Sequence, residues 1–317
     1  MKQSILINFP TNIGDTIMSL PVLDRVKGNY PESKITAVAS AKTKDFLTKN
    51  NFIDEIIVFD KSWKAIHKWR FTLSLRGQYT MIVDLKNSLL PILLGAKKKT
   101  PYIRKTDKSK HAVLGYLDTI ISLCPKECTG KKSSFLLPDT KKHQWDSLIQ
   151  KPSIFIACSS RSQLKRYPVS RLTQIIEKLK QTHKIIIIGE ESDRELYKDI
   201  ADSENITNLA GETEIADIFY LFINYAICVL SVDSSALHIA GYLNIPVVAL
   251  FGPTDQKRYG PWSKTSTILR NDFVACAPCN KSLCNFKHEC MNISPQKIID
   301  ALLATIEKTK QSRSFST

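Results

Sequence analysis

The feature that most constrains the fold is a set of short strands that are apolar on both faces, Ile185-Ile186-Ile187-Ile188 being the clearest. A strand with one wet face alternates apolar and polar residues. A run without alternation has to be covered on both sides, as in a parallel sheet flanked by helices. Comparable runs recur along the chain between helical patterns. The first half predicts strands at 4–9, 34–39, 55–59 and 80–84, with helices at 15–29 and 42–50. In the first of these helices Ile17, Leu20, Val22, Leu23 and Val26 fall near helical spacing. The second half predicts strands at 153–158, 184–188, 225–230 and 246–250, and helices at 169–181, 193–202, 214–224 and 234–243. Alternation of this kind specifies a doubly wound α/β fold. The series restarts near Ser153, after a Lys- and Pro-rich segment between Gly130 and Pro152, so two Rossmann-like domains are expected, 1–150 and 151–317. The ligand is expected in a cleft between them, near the carboxyl ends of strands.

A chain of 317 residues fits two domains of ordinary size, and a 43% apolar share is enough for both cores. The net charge of +15 points to a polyanionic partner: nucleic acid, an anionic membrane surface or a phosphorylated substrate. No apolar run approaches the roughly 18 residues of a membrane span. Met1-Lys2-Gln3-Ser4 leads straight into a strand, which predicts no signal peptide and a cytoplasmic location. Eight cysteines in such a chain argue for reduced thiols or metal ligands over a disulfide framework. The tail after Thr309 reads as disordered.

Two turns carry chemistry. Tyr225 to Leu230 is an apolar strand, and Ser231-Val232-Asp233-Ser234-Ser235-Ala236-Leu237-His238 hands it over to a helix. A second strand follows at Ile245 to Leu250, then Phe251-Gly252-Pro253-Thr254-Asp255. Such a turn aims backbone N–H groups, a helix N-terminus and small hydroxyls at one point, which suits a phosphate. The plainer reading makes Asp233 and Ser234 helix caps and His238 a satisfied core residue. In the N-terminal half, Phe9-Pro10-Thr11-Asn12-Ile13-Gly14-Asp15-Thr16 links the first strand to the first helix. Asp15 there is either an N-cap or a general base that takes the proton of an attacking hydroxyl.

These segments resemble a known family. Asn12 to Pro21 is similar to the opening signature of the ADP-heptose heptosyltransferases, glycosyltransferase family nine. Asp233 to His238 and Pro246 to Asp255 resemble its second signature, and Lys165-Arg166-Tyr167-Pro168 its Lys-Arg-Trp-Pro element. The resemblance runs in order from about Ser4 to Ile306. One departure is that Asp233-Ser234-Ser235 stands where the family commonly has Asp-Thr-Gly. The resemblance implies a GT-B fold and inverting transfer of heptose from ADP-heptose to the inner core of lipopolysaccharide. It implies Asp15 as base, Lys165 on the phosphates, and Asp233, Ser234, Ser235 and His238 around the donor. Glu190 or Glu191, at the end of a strand, would reach the ribose. The chain contains no Asp-x-Asp to hold a metal on a diphosphate, so cationic side chains and helix N-termini would take that role, and no cofactor is required for catalysis. The alternatives are a transferase of the same fold using another nucleotide sugar, such as an N-acetylhexosamine, and a non-catalytic polyanion binder. No nucleic-acid motif supports the latter, and no nucleic-acid partner is expected.

Seven cations lie between Lys97 and Lys110: Lys97, Lys98, Lys99, Arg104, Lys105, Lys108 and Lys110. They are solvated loop residues individually and a positive field together. Because the family binds its acceptor in the N-terminal domain, Lys97, Lys98, Lys99 and Arg104 are candidates for an anionic acceptor. The same field would hold the protein peripherally on the inner face of an anionic membrane. The apolar run Leu89 to Leu94 before it reads as core helix, with an interfacial segment as the alternative. Cys276, Cys279, Cys284 and Cys290, with His288 nearby, are spaced so that they could bind a structural zinc or an iron–sulfur cluster, or form a reduced loop-stabilising set. Cys124, Cys128, Cys158 and Cys228 read as core thiols.

Overall fold

A computed structural model describes residues 3–60, 62–105, 107–127, 132–200 and 202–314. The chain divides into two compact units, Met1–Leu136 and Leu137–Thr317. In the first, strands β1 (Ser4–Asn8), β2 (Lys34–Ala39), β3 (Glu55–Val58), β4 (Met81–Asp84) and β5 (Lys98–Lys99) form one sheet in the order β3-β2-β1-β4-β5. All of its pairings are parallel. Helices α1 (Ile13–Met18), α2 (Leu20–Asn29), α3 (Ala41–Thr48), α4 (Ala65–Leu75), α5 (Leu90–Leu93) and α6 (Ala112–Asp118) connect and cover it.

The second unit opens with α7 (Asp139–Leu148). Its sheet contains β6 (Ser153–Ala157), β7 (Lys184–Gly189), β8 (Ile206–Ala210), β9 (Ala226–Val232), β10 (Val247–Phe251) and β11 (Ser266–Arg270), in the order β11-β10-β9-β6-β7-β8. This sheet is also parallel. Its helices are α8 (Val169–Leu179), α9 (Ile215–Tyr225), α10 (Ser235–Leu243), α11 (Gln256–Tyr259) and α12 (Pro295–Ser314). Ile154, Phe155, Ile156 and Ile185 to Ile187 are fully buried. Full burial explains why these runs lack alternation, each such side chain contributing about 1.5–3 kcal/mol.

Both strand orders are Rossmann-type. In each unit the chain winds outward from a first strand, then crosses back to that strand's other side. The loops after the two central strands diverge there, and the resulting crevice at their carboxyl ends is where such sheets bind ligands. In unit 1 the point lies between β1 and β4; in unit 2 it lies between β6 and β9.

The eight predicted strands are present within two residues at each end, and β5, β8 and β11 are additional. The predicted helix 15–29 is two helices. Ser19 interrupts the ladder and Pro21, which has no N–H to donate, sits in the first turn of α2. The predicted helix 193–202 is absent. Short 3₁₀ turns at Glu191–Asp193 and Glu195–Tyr197 stand in its place. Asp193 turns its carboxylate back to the Glu190 N–H at 2.8 Å, a local bond that competes with helix formation. The expected disordered tail after Thr309 is helical as far as Ser314.

The units meet in sequence after Leu136, ahead of the expected 150/151 boundary, because α7 belongs to unit 2. Trp145 on α7 is fully buried, and its indole N–H donates to Asp217 Oδ1 on α9 at 3.1 Å. Asp217 Oδ2 accepts from the Glu214 N–H at 2.9 Å and lies 3.7 Å from Lys141 Nζ. We expect Trp145→Ala to lower the unfolding free energy by about 3–5 kcal/mol in urea titrations. A loss below about 1 kcal/mol would mean that α7 is not part of the core of unit 2.

Candidate active site

The crevice of unit 2 is built around Asp233, the residue directly after β9. Its side chain is 6% exposed. Lys165, at the end of a 3₁₀ turn after β6, donates from Nζ to Asp233 Oδ2 at 2.6 Å. His238 Nε2, from the second turn of α10, lies 3.5 Å from Oδ1. Burial alone would raise the Asp233 carboxyl. The hydrogen bond and charge of His238, together with the Lys165 ammonium, outweigh burial and hold it well below the ordinary carboxylate range. Three predicted residues from two separate segments thus form one charged cluster. Asp233 is not a helix cap: Ser234 holds the N-cap position of α10 and makes no side-chain cap bond. The Ser234 hydroxyl instead lies 3.0 Å from that of Ser231. Ser235 is the first residue of α10, so its amide is among those a helix leaves without an internal acceptor.

Sequence reasoning missed a second layer on the β7 side of this crevice. Asp193 is 4% exposed and accepts from the Ser159 hydroxyl at 2.5 Å. Arg166 Nη2 stands 3.7 Å from the same carboxylate. Ser159 follows β6 and Asp193 follows β7, so the pair ties two strand ends together. A carboxylate just beyond the glycine that ends an apolar strand was the available signal. Glu190 and Glu191, predicted here, have other partners. Arg161 Nε contacts both oxygens of Glu190 at 2.9 Å. Glu191 is strongly exposed and lies 3.4 Å from Arg194 Nε. On the β10 side, Thr254 Oγ1 and Gln256 Oε1 are buried with no hydrogen-bond partner among the described residues.

The crevice of unit 1 repeats the pattern. Asn8 at the end of β1 donates to Asp84 at the end of β4 at 2.7 Å, and both are buried. The other Asp84 oxygen accepts from the Ser88 N–H at 2.5 Å. This pair was also missed. Asp15 sits in the first turn of α1 and is not its N-cap, which is Asn12. Asn12 Nδ2 donates to Asp15 Oδ2 at 3.2 Å. Among the acceptor candidates, Lys98 and Lys99 form the edge strand β5, where successive side chains leave opposite faces. Lys98 Nζ stands over the Tyr30 ring, 5.4 Å from its centroid. Lys97 is exposed, and Arg104 is half-buried with Nη1 unpartnered among the described residues.

The four clustered cysteines lie in the loop between β11 and α12. Burial raises the Cys290 thiol, and the nearby Cys284, Cys279 and Cys276 raise it further. Cys290 is buried, whereas Cys276 and Cys284 are exposed. No group of three or more His, Cys, Asp or Glu among the described residues is arranged to hold a metal ion. The loop instead packs on the β10 end: a Cβ at Gly252 would meet Met291 Sδ at 2.5 Å and Cys290 Sγ at 3.0 Å. Cys124, Cys158 and Cys228 are buried core thiols, and Cys128 lies outside the described residues.

A depressed carboxyl contributes stability above its unfolded value and loses that contribution as pH falls through its folded value. The stability gap between wild type and Asp233→Asn should therefore narrow as pH falls from about 6 to about 3 in thermal melts. A gap that stays constant or widens would show that Asp233 is not held ionised by its partners.

Comparison with known proteins agrees with this architecture. The model of glycosyltransferase family 9 (heptosyltransferase) matches residues 68–289. The chain is 26% identical to lipooligosaccharide heptosyltransferase 2 of Campylobacter jejuni over 323 residues, 94% of this chain and 97% of that protein. It is 24% identical to lipopolysaccharide heptosyltransferase 3 of Escherichia coli over 296 residues, 79% and 83% of the two chains. Among solved structures, the ADP-heptose lps heptosyltransferase II of E. coli superposes with a TM-score of 0.75 at 22% identity, covering 98% of this chain and 100% of that one. A family 9 glycosyl transferase from Veillonella parvula gives 0.78 at 19% identity over 96% and 97%. The fold is therefore the two-Rossmann GT-B type, and the chain belongs to glycosyltransferase family 9, the heptosyltransferases.

Proposed function

We propose that this glycosyltransferase moves a heptose from ADP-heptose to an inner-core lipopolysaccharide acceptor, by single displacement with inversion and without a metal on the diphosphate. The observation that carries the reading is the Lys165–Asp233–His238 cluster at the crevice of unit 2. Asp233 holds the Lys165 ammonium at the strand ends. From there the ammonium can meet the phosphate charge that grows as the bond to the sugar breaks. His238 on the other carboxylate oxygen fixes the orientation of Asp233. The first amides of α10 and the Ser234 and Ser235 hydroxyls supply further donors to the phosphates. Glu191, with its carboxylate near solvent beside Gly211, is the proposed ribose contact.

In the step itself, the acceptor hydroxyl oxygen bonds to the anomeric carbon as that carbon's bond to the diphosphate oxygen breaks. The bonding pair leaves with ADP. The hydroxyl proton passes to Asp15, whose Oδ2 is oriented by Asn12. Lys97, Lys98, Lys99 and Arg104 are proposed to meet the carboxylates and phosphates of the acceptor. The protein would then act peripherally at the cytoplasmic face of an anionic membrane. Among the described residues no helix is long and apolar enough to cross one. A second reading, transfer from a different nucleotide sugar, is favoured by one residue: Ser235 carries a Cβ where the family pattern has glycine.

Three measurements test this reading. Asp15→Asn should lower kcat about 10²–10⁴-fold with the donor KM changed less than about threefold; unchanged kcat would remove Asp15 as the base. Lys165→Ala should weaken ADP binding by about tenfold or more, and equal affinity would reject its role on the diphosphate. Transfer should persist in chelator. Loss of activity restored by magnesium or manganese would contradict charge neutralisation by side chains.

A further inference from the structure

One face of the unit 1 sheet carries an apolar cluster to which both α4 and α5 contribute. Leu75 of α4 and Leu94 beside α5 are buried in one cluster with Leu6, Val38 and Ile82, and Phe71 and Leu90 pack against it. The Gly77 N–H donates to the Leu94 carbonyl at 3.1 Å, which joins the ends of the two helices. The opposite side of this layer is apolar as well. Ile66, Trp69 and Leu73 fall at i, i+3 and i+7 of α4, and Trp69 is 53% exposed. Leu89, Ile92 and Leu93 on and beside α5 are exposed too, Leu89 at 58%. A helix that needs only to cover a sheet has no use for a second apolar face.

The charge along α4 and α5 is cationic, with the Asp60 carboxylate near Lys68 the acidic neighbour. From 62 to 79 the chain carries Lys64, Lys68, Arg70 and Arg76 and no Asp or Glu. From 85 to 105 it again has no Asp or Glu and carries Lys86, the 97–99 lysines, Arg104 and Lys105. An apolar strip with a tryptophan on it and a largely cationic border matches the boundary between acyl chains and anionic headgroups. It does not match a second copy of this chain, because a two-fold contact would bring the same cations together.

We propose that the outer face of α4 and α5 is a seat for an anionic phospholipid bilayer. Ile66, Trp69, Leu73, Leu89, Ile92 and Leu93 enter the headgroup–acyl boundary, and the flanking Lys and Arg side chains meet lipid phosphates. The proposal deepens the reading that the acceptor is membrane-linked and rests on it. It also gives the interfacial segment expected at Leu89 to Leu94 a partner, α4, that sequence reasoning did not identify.

The test is co-sedimentation of the full chain with phosphatidylcholine vesicles, with and without about 30 mol% phosphatidylglycerol. Wild type should bind the anionic vesicles at least about tenfold better than the neutral ones, and lose that preference near 0.5 M salt. The triple variant Ile66→Ser, Trp69→Ser, Leu73→Ser should bind about tenfold less well, and so should Arg70→Glu with Arg76→Glu. Both variants should keep the wild-type circular dichroism and the thermal shift produced by ADP. Those controls separate a failed seat from a failed donor site, since ADP binding does not depend on vesicles. Equal binding to neutral and anionic vesicles overturns the proposal, as does a triple variant that binds like wild type. A wild-type dimer that the triple variant converts to monomer, with no vesicle binding by either, also overturns it and assigns the face to self-association.

Discussion

The Lys165–Asp233 contact is the interaction on which the functional account depends. An ammonium and a carboxylate 2.6 Å apart at a nearly buried position contribute little to stability as a pair, because desolvation opposes their attraction. Their value lies in placement. Asp233 is fixed by the end of β9 and by His238, and Lys165 is fixed by the turn after β6. The two strands are neighbours in the sheet, so the sheet's register sets the position of the ammonium. A flexible surface lysine would pay an entropic cost to reach a diphosphate. This one is already held at the place where the strand order reverses.

Both units put buried polar pairs at their strand ends, at the switch point in unit 1 and beside it in unit 2. In unit 1, Asn8 and Asp84 close the gap between β1 and β4. In unit 2, Ser159 and Asp193 brace the ends of β6 and β7 beside the Lys165–Asp233 cluster. A parallel sheet leaves its last carbonyls and the following loop amides pointing the same way, and buried polar groups there have to be satisfied by one another or by a ligand. Asp84 is satisfied by Asn8 and the Ser88 and Lys86 amides, so it reads as a brace. Thr254 Oγ1 and Gln256 Oε1 are buried with no partner among the described residues.

The sequence made the central strands legible because Ile154 to Ile156 and Ile185 to Ile188 have no polar face to confuse the period. It concealed β5 completely, since Lys98 and Lys99 pair through backbone alone. It also hid β8 and β11, where Thr207, Asn208 and Ser266 interrupt the apolar runs. Asp233, Ser234, Ser235 and His238 were visible as one contiguous motif. Lys165 was visible only through its basic neighbours and the resemblance. The Asn8–Asp84 and Ser159–Asp193 bonds join residues 76 and 34 positions apart and have no local signature. Glu190 and Glu191 were located correctly at a strand end, but Arg161 and Arg194 compete for them. The run Leu89 to Leu94 was legible as apolar, whereas α4 was not anticipated, and the fold shows that the inner faces of both helices are already occupied.

The central claim is that side chains at the unit 2 crevice neutralise a nucleoside diphosphate. Isothermal titration of the full chain with ADP and with AMP tests it most directly. The account predicts that ADP binds at least about tenfold tighter than AMP, because the second phosphate is the one that reaches the Lys165 ammonium. Equal affinities for the two nucleotides would contradict it.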